Sequence, residues 1–246
     1  LISIGNSGAN QSWDFSSLQE MEIETIDVVS PVGTLYGSMH PNANICVEMD
    51  GDLLYLNKNS SGVEMVGFGN LPVNVLMVPL PLTYNFNHQD GPNTIMDSTL
   101  VNIGLFDNSL APVISLNPLH DQIDSLKINA TITSDFTVDA WGDITIPLGT
   151  YEALRLKVEE TTTTQFSVYC SAGGLAGGWF SAETFFPIET DIANRYQWWS
   201  NNPIFNFMLA ELEMDSLGNN VEYVTFLTEN QAASAHILPS ISVNVY

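Results

Sequence analysis

The sequence predicts an all-β protein, an antiparallel β-sandwich or curved half-barrel with long Pro-rich loops. Three observations carry this expectation. Apolar and polar residues alternate at period two over most of the chain, the spacing of a strand with one buried face. Asp-Gly and Ser-Gly steps punctuate those runs, as tight turns require. No segment sustains a helical period, and the run Phe15–Met21 is the longest with any helical character.

Met21 to Thr25 opens with acids on one face and larger side chains on the other. Ile45-Cys46-Val47-Glu48-Met49 meets Asp50-Gly51 and continues as Leu53-Leu54-Tyr55-Leu56, a hairpin signal. Asn59-Ser60-Ser61-Gly62 then turns the chain into Val63–Phe68, which completes a three-strand meander. The middle carries Pro72, Pro79, Pro81, Pro92, Pro112 and Pro118 and reads as short strands and loops, with Leu80 to Tyr84 as an edge segment. Alternation resumes in Leu126–Ile132 and Phe136–Gly142. Asp143–Pro147, a turn at Gly149 and Ala153–Glu160 form another hairpin. In its second strand Leu154, Leu156 and Val158 face one way, and Arg155, Lys157 and Glu159 the other. Ala172 to Gly178 reads as a flexible loop, followed by strands at Glu183–Phe186 and Arg195–Trp199. A last hairpin runs Phe205–Met214, turns at Leu217 to Asn220 and returns through Val221–Leu227. One β-rich domain over residues 1–228 and an extended tail or late strand over 229–246 is the expected organisation.

The 246 residues include 28 Asp+Glu against 5 Lys+Arg, a net charge of −23, yet only 13% of residues are charged. An ordinary soluble domain has about a quarter. The anomaly is therefore missing cations, not excess carboxylates. Five cations cannot neutralise a run of phosphates or hold an anionic lipid surface, which excludes a nucleic-acid binder and a polybasic membrane protein. No apolar run reaches the roughly 20 residues of a spanning helix, so membrane insertion is not expected. A chain that starts at Leu1 with no leader reads as one already processed. Unpaired carboxylates and few Lys/Arg cleavage sites suit an extracellular, salty habitat, while lineage-wide composition bias accounts for them equally well.

Four segments together resemble secreted Bacteroidota proteins exported by the type IX secretion system. They are Gly8-Ala9-Asn10-Gln11-Ser12-Trp13-Asp14-Phe15-Ser16-Ser17-Leu18, Leu80-Pro81-Leu82-Thr83-Tyr84, Ala140-Trp141-Gly142-Asp143 through Leu156-Lys157, and Tyr196-Gln197-Trp198-Trp199-Ser200. The resemblance implies a secreted or cell-surface β-rich module, normally followed by a sorting domain removed on export, which an end at Tyr246 would fit. It implies no catalytic residue. The Pro-x-Gly-Thr-Tyr-x-x-Leu and Trp-Trp strands also resemble periplasmic half-barrel carriers that hold lipid in a curved sheet. A bacterial source would leave the sequons at Asn10, Asn59 and Asn129 unglycosylated.

The chemistry-bearing residues are few. His88-Gln89-Asp90 and His120-Asp121 put imidazole beside carboxylate, but no His-x-x-x-His or Cys-x-x-Cys follows, and His40 and His236 stand alone. Calcium is the better ion candidate: Asp50, Asp52, Asp139 and Asp143 offer hard oxygen ligands, as do Glu211, Glu213 and Asp215, though none follows a calcium-loop template. The competing reading makes them a turn and the wet face of a strand. No Gly-x-Ser-x-Gly or other nucleophile motif is present, so no enzyme is expected. Cys46 and Cys170 form one disulfide or remain two buried thiols. Trp141, Trp179, Trp198 and Trp199 either line a glycan- or lipid-binding concavity or cover the sheets. The expected function is non-enzymatic adhesion or a subunit of an extracellular assembly, with copies of the chain pairing through sheet edges or the tail. The alternative is a glycan- or lipid-binding module on a curved aromatic sheet.

Overall fold

The structure, a computed structural model, describes residues 3–19, 26–49, 51–101, 107–172, 175–202, 205 and 207–228. The expected strand at 21–25, Asp50, the centre of the Gly-rich loop and the tail 229–246 lie outside the described residues. The fold is all-β. In chain order the strands are β1 (Gly8–Asp14), β2 (Ile26–Val29), β3 (Ile45–Met49), β4 (Asp52–Lys58), β5 (Gly62–Phe68), β6 (Leu71–Pro79), β7 (Asn87–Val101), β8 (Gln122–Ile146), β9 (Gly149–Ala172), β10 (Leu175–Ser181), β11 (Glu189–Trp199), β12 (Ala210–Met214) and β13 (Val221–Phe226). Among the described residues they are interrupted by one α-helical turn, α1 (Ala111–Ile114), and by two short 3-10 turns, Gly37–Met39 and Asn108–Leu110.

The chain forms two compact units: unit 1 comprises Leu1–Gly91, Thr133–Glu160 and Ile192–Tyr246, and unit 2 comprises Pro92–Ile132 and Thr161–Asp191. In unit 1, β2-β3-β4-β5-β6 form an antiparallel meander in strand order. The expected hairpin at Asp50-Gly51 is present, with Met49 opposite Asp52 and Gly51 at φ 89°. The larger sheet runs β1-β8-β9-β11-β12-β13, with β7 on β8 and β10 on β9.

Several expected boundaries differ. Pro72 and Pro79 sit near the ends of β6, the last strand of its sheet, where a missing N–H costs no ladder bond. Pro92 lies inside the fifteen-residue β7. The expected pieces 126–132 and 136–142 are one 25-residue strand, and β9 runs 24 residues. Glu183–Phe186 is a turn, not a strand: the Phe185 and Phe186 amides both donate to the Ala182 carbonyl, at 2.9 and 2.8 Å. The described part of Phe15–Met21 is a turn as well, held by the Ser16 amide and hydroxyl donating to Asp14 Oδ1. Of the expected strand Phe205–Met214, only β12 is extended.

Two cores fill unit 1. The first joins Trp13 of β1 and Phe15 just after it to Ile144, Ile146, Trp198, Leu209 and Leu212. The Trp198 indole meets the edges of Trp13 and Phe15 at 5.6 and 5.2 Å, the edge-to-face geometry that aromatic quadrupoles favour. The second joins Val63, Val78 and Leu82 to Phe136, Val138, Leu154, Leu156 and Trp199. Phe136 and Val138 thus serve one core and Ile144 and Ile146 the other, while alternate residues of β8 stay buried without a break from Ser134 to Ile146.

β1 pairs with β8 in parallel, the one parallel pairing whose register is resolved. Gln11 lies opposite Gly142, where a Cβ would fall on the Gln11 backbone, so this close approach requires glycine. Arg155 locks the strand in place. Its side chain is 2% exposed and grips both Asp139 carboxylate oxygens at 2.8 Å. It also donates to the carbonyls of Ile4 and Asn6 and lies over the rings of Trp13 and Tyr196, at 5.6 and 5.1 Å. Three segments far apart in the chain, 8–18, 140–157 and 196–200, therefore meet at one buried charge.

Unit 2 has a smaller core: Ala111, Leu126, Val168, Cys170 and Ala182, bordered by Ile114, Ile123, Ile128, Phe166 and Phe180. Three of its five buried members are Ala or Cys, so little apolar area is removed from water there.

Candidate functional site

The four tryptophans part company in the structure. Trp198 is fully buried in the first core, and its Nε1 has no hydrogen-bond partner among the described residues. Trp199 is 5% exposed and donates Nε1 to Gln197 Oε1 at 3.0 Å, while Trp141 packs against the second core. These three are core aromatics. Trp179 alone presents its ring to solvent, at 45% exposure.

Trp179 stands on β10 directly opposite Tyr169 of β9, and the two rings make an edge contact at 5.5 Å. The glycines before it shape the ledge. A Cβ on Gly177 would strike the Tyr169 ring, so Gly177 lets that ring lie against the β10 backbone. Gly178 lies opposite buried Cys170, where a Cβ would press on the Phe180 ring of the other face. One cross-strand step further, Ser181 pairs with Ser167. Residues two apart on a strand share a face and are separated by about 7 Å, so these hydroxyls flank the ring pair. Both line a small concavity of about 90 Å³ together with Gln165, Glu183, Phe166, Phe186 and Ile188. The Phe166 and Phe186 rings meet at 5.8 Å to form its apolar wall. Ser181 Oγ accepts the Glu183 amide at 3.3 Å and keeps its own proton free to donate. The site thus combines exposed π surface, two hydroxyls, an amide and a carboxylate. Lys127, the sole cation of unit 2, is paired with Asp97 at 3.0 Å.

A second concavity, about 300 Å³, lies along the N-terminal segment between Ser3 and Leu18. Its two aromatic walls, Trp13 and Phe15, are 2% and 3% exposed and belong to the core, which leaves a Ser-lined surface without an open ring.

Among the described residues the calcium candidates do not converge. Asp139 is gripped by Arg155, Asp143 is exposed opposite Ser12, and Asp52 sits beside the β3–β4 turn. Asp215 organises the β12–β13 turn, accepting from the Asn219 amide and Asn220 Nδ2, and these donors hold its carboxyl below the usual range. Burial pushes Glu211 up, although Gln197 Nε2 donates to it at 2.6 Å. Among the described residues no three His, Cys, Asp or Glu side chains gather as metal ligands would.

Cys46 on β3 and Cys170 on β9 are free, buried thiols, so the disulfide reading is not the state this structure holds. Burial raises both thiol pKa values, which makes them poor nucleophiles. The three histidines among the described residues are structural. His40 stacks on Tyr55 at 4.5 Å and pairs with the Gly69 carbonyl, and His88 lies between Phe86 and Phe136. His120 packs on Phe180 with Nε2 against Asn117, and its buried Nδ1 has no partner.

Two features escaped the sequence reading. Arg155 looked like one of three charged residues on an outward strand face, and only the arrival of β1 over that face buries it. The other is the turn after α1. Leu116 has φ 53°, a conformation that costs a bulky residue about 1–2 kcal/mol, and its side chain is 89% exposed. Ser115 Oγ donates to the Ala111 carbonyl at 2.6 Å and the Leu119 amide donates to Asn117 Oδ1, which pins the backbone on both sides. Val113 and Leu119 stand out beside it at 55% and 64%. The signal was Ser115 and Asn117 flanking an isolated leucine before a proline.

No helix among the described residues is long and apolar enough to cross a membrane. Comparison of the chain with protein-family models, with curated proteins and with solved structures returned no match.

Proposed function

We propose that the chain is a non-enzymatic secreted or cell-surface protein, acting in adhesion or as a subunit of an extracellular assembly, and that unit 2 meets the partner. The carrying observation is an imbalance. Of the twenty large apolar side chains exposed among the described residues, ten belong to unit 2, which is under a third of the chain: Met96, Leu100, Val101, Val113, Leu116, Leu119, Trp179, Phe185, Phe186 and Ile188. A unit with a five-residue core that displays this much apolar surface gains most from being covered. The strained turn at Leu116 supports the same reading, since strain that packing does not require points to a displayed side chain. Sheet edges give copies of the chain a further route to pair, β13 at one end of the large sheet and β2 and β6 at the ends of the meander. Mutual repulsion of chains at −23 predicts that salt strengthens self-association.

The test is sedimentation velocity over rising concentration, with bead retention under flow on polystyrene and on mucin-coated glass. The full chain is expected to oligomerise or retain beads, and Val113→Ser/Leu116→Ser/Leu119→Ser to lose that property. The matched unit 1 variant Val32→Ser/Leu35→Ser/Met39→Ser, also on exposed positions, should keep it. A chain that stays monomeric, and whose beads wash off like bare ones, overturns the reading.

A further inference from the structure

We propose that the Trp179–Tyr169 ring pair and the concavity beside it bind a neutral oligosaccharide. This deepens the reading of unit 2 as the contact region and rests on it for the site's biological role, not for its chemistry.

The C–H faces of a pyranose are apolar and its rim is all hydroxyl, so a sugar site needs an open aromatic ring with short polar groups at its margin. Trp179 supplies the ring, 45% exposed and held by the edge contact with Tyr169. Orienting the indole in advance lowers the entropy lost on binding. Ser167 and Ser181, on the same face one cross-strand step away, supply hydroxyls that both donate and accept. Gln165 and Glu183 complete the polar margin. Gly177 puts no side chain over the Tyr169 ring, so none at that position blocks a sugar chain lying across β10.

Size and charge narrow the ligand. A concavity of about 90 Å³ is well below the ~300 Å³ of an ordinary ligand pocket, so it takes one substituent, such as a hydroxymethyl or acetamido group. The rest of the oligosaccharide lies over Trp179. Unit 2 carries seven carboxylates, one of them Glu183 in the concavity, against the single paired Lys127. An anionic sugar would meet uncompensated repulsion there. The site therefore selects neutral glycans over uronate or sulfated ones.

The experiment titrates the full chain with cellotetraose, xylotetraose, mannotetraose, maltotetraose and chitotetraose, followed by calorimetry and tryptophan fluorescence, with tetragalacturonate as the acidic control. At least one neutral tetrasaccharide should bind, with Kd on the order of 0.1–1 mM, as a shallow site allows. Trp179→Ala should weaken binding at least about tenfold, and Ser181→Ala or Gln165→Ala about threefold to tenfold. Tetragalacturonate should not bind. No binding of any neutral tetrasaccharide at about 10 mM overturns the proposal. So does binding that survives Trp179→Ala, or equal binding of the acidic control. Ser181→Ala and Gln165→Ala keep the test valid if Trp179→Ala is poorly folded. The two readings fail separately: Trp179→Ala should keep the self-association or bead retention that the Val113/Leu116/Leu119 triple variant loses, and the triple variant should keep sugar binding.

Discussion

Unit 1 and unit 2 share the long strands β8 and β9, yet they use their side chains in opposite ways. Unit 1 buries both faces of β9: Leu154 and Leu156 enter one core, while Arg155 on the other face is closed in by Asp139, Trp13 and Tyr196. In unit 2 the same strand buries Val168 and Cys170 on one side and leaves Tyr169 beside an exposed Trp179 on the other. One strand is thus a core element at its start and a display surface at its end. The difference lies in what covers the second face. β1 brings Trp13 and Phe15 over unit 1, and none of the described segments supplies unit 2 with a comparable aromatic cover.

The largest expected effect breaks unit 1. Asp139→Ala leaves the Arg155 guanidinium buried without its carboxylate and should cost about 3–5 kcal/mol in denaturant unfolding. The paired replacement Arg155→Met/Asp139→Leu should recover most of that loss. A cost under about 1 kcal/mol for Asp139→Ala would show that the guanidinium is not the lock described here.

A more direct measure of the contrast uses the two buried thiols, one in each unit. Pulsed thiol labelling at moderate denaturant should modify Cys170 at least about tenfold faster than Cys46, a difference of about 1.4 kcal/mol in local stability. Equal rates would mean that the units open together and that unit 2 is no weaker.

Glu211 tests the packing of the β11–β12 face of unit 1. Burial raises its folded-state pKa, so the ionised form is penalised at pH values above that pKa. The penalty vanishes as pH falls below the ordinary carboxyl range. Glu211→Gln should therefore raise the melting temperature at pH 7, by the equivalent of about 1 kcal/mol, and bring no gain near pH 4. Asp215 has the opposite sign. Its depressed pKa means that its contribution is present at neutral pH and is lost as pH falls through the folded value. A Glu211→Gln gain that is the same at both pH values would rule out the burial argument.

The smallest effect sits in unit 2. Leu116→Gly removes the steric cost of φ 53° and should raise stability by up to about 1 kcal/mol, offset in part by glycine's unfolded-state entropy. If Leu116 is a displayed contact, the same variant should also weaken self-association or bead retention. Stability gained with those properties intact would make the turn a local accident.

Strands with a turn signal at each end were legible from the residues alone. Cys46–Tyr55, folded about Asp50-Gly51, is the clearest case, because register follows from turn chemistry and alternation within a dozen residues. Glu183–Phe186 shows where this fails: its composition suits a strand, but the Ala182 carbonyl captures two amides and closes a turn. The proline-rich middle failed in the other direction, since β6 carries Pro72 and Pro79 near its ends and β7 carries Pro92 in its interior. For the candidate site, the sequence narrowed the choice to four tryptophans and could go no further. Exposure depends on which segment lies over a face, and that is a long-range property.

By itself the sequence determined the all-β class, the three-strand meander of β3 to β5 with its turns, and a surface poor in cations, because propensity, alternation and charge are local. Only the tertiary structure decided that Arg155 is buried, that Trp198 belongs to the core and that Trp179 is open. Each of those outcomes depends on residues more than a dozen positions away in the chain, such as Trp13 for Arg155 and Trp198. Periodicity assigns a side chain to a face of its strand, and packing between distant segments decides whether water reaches that face.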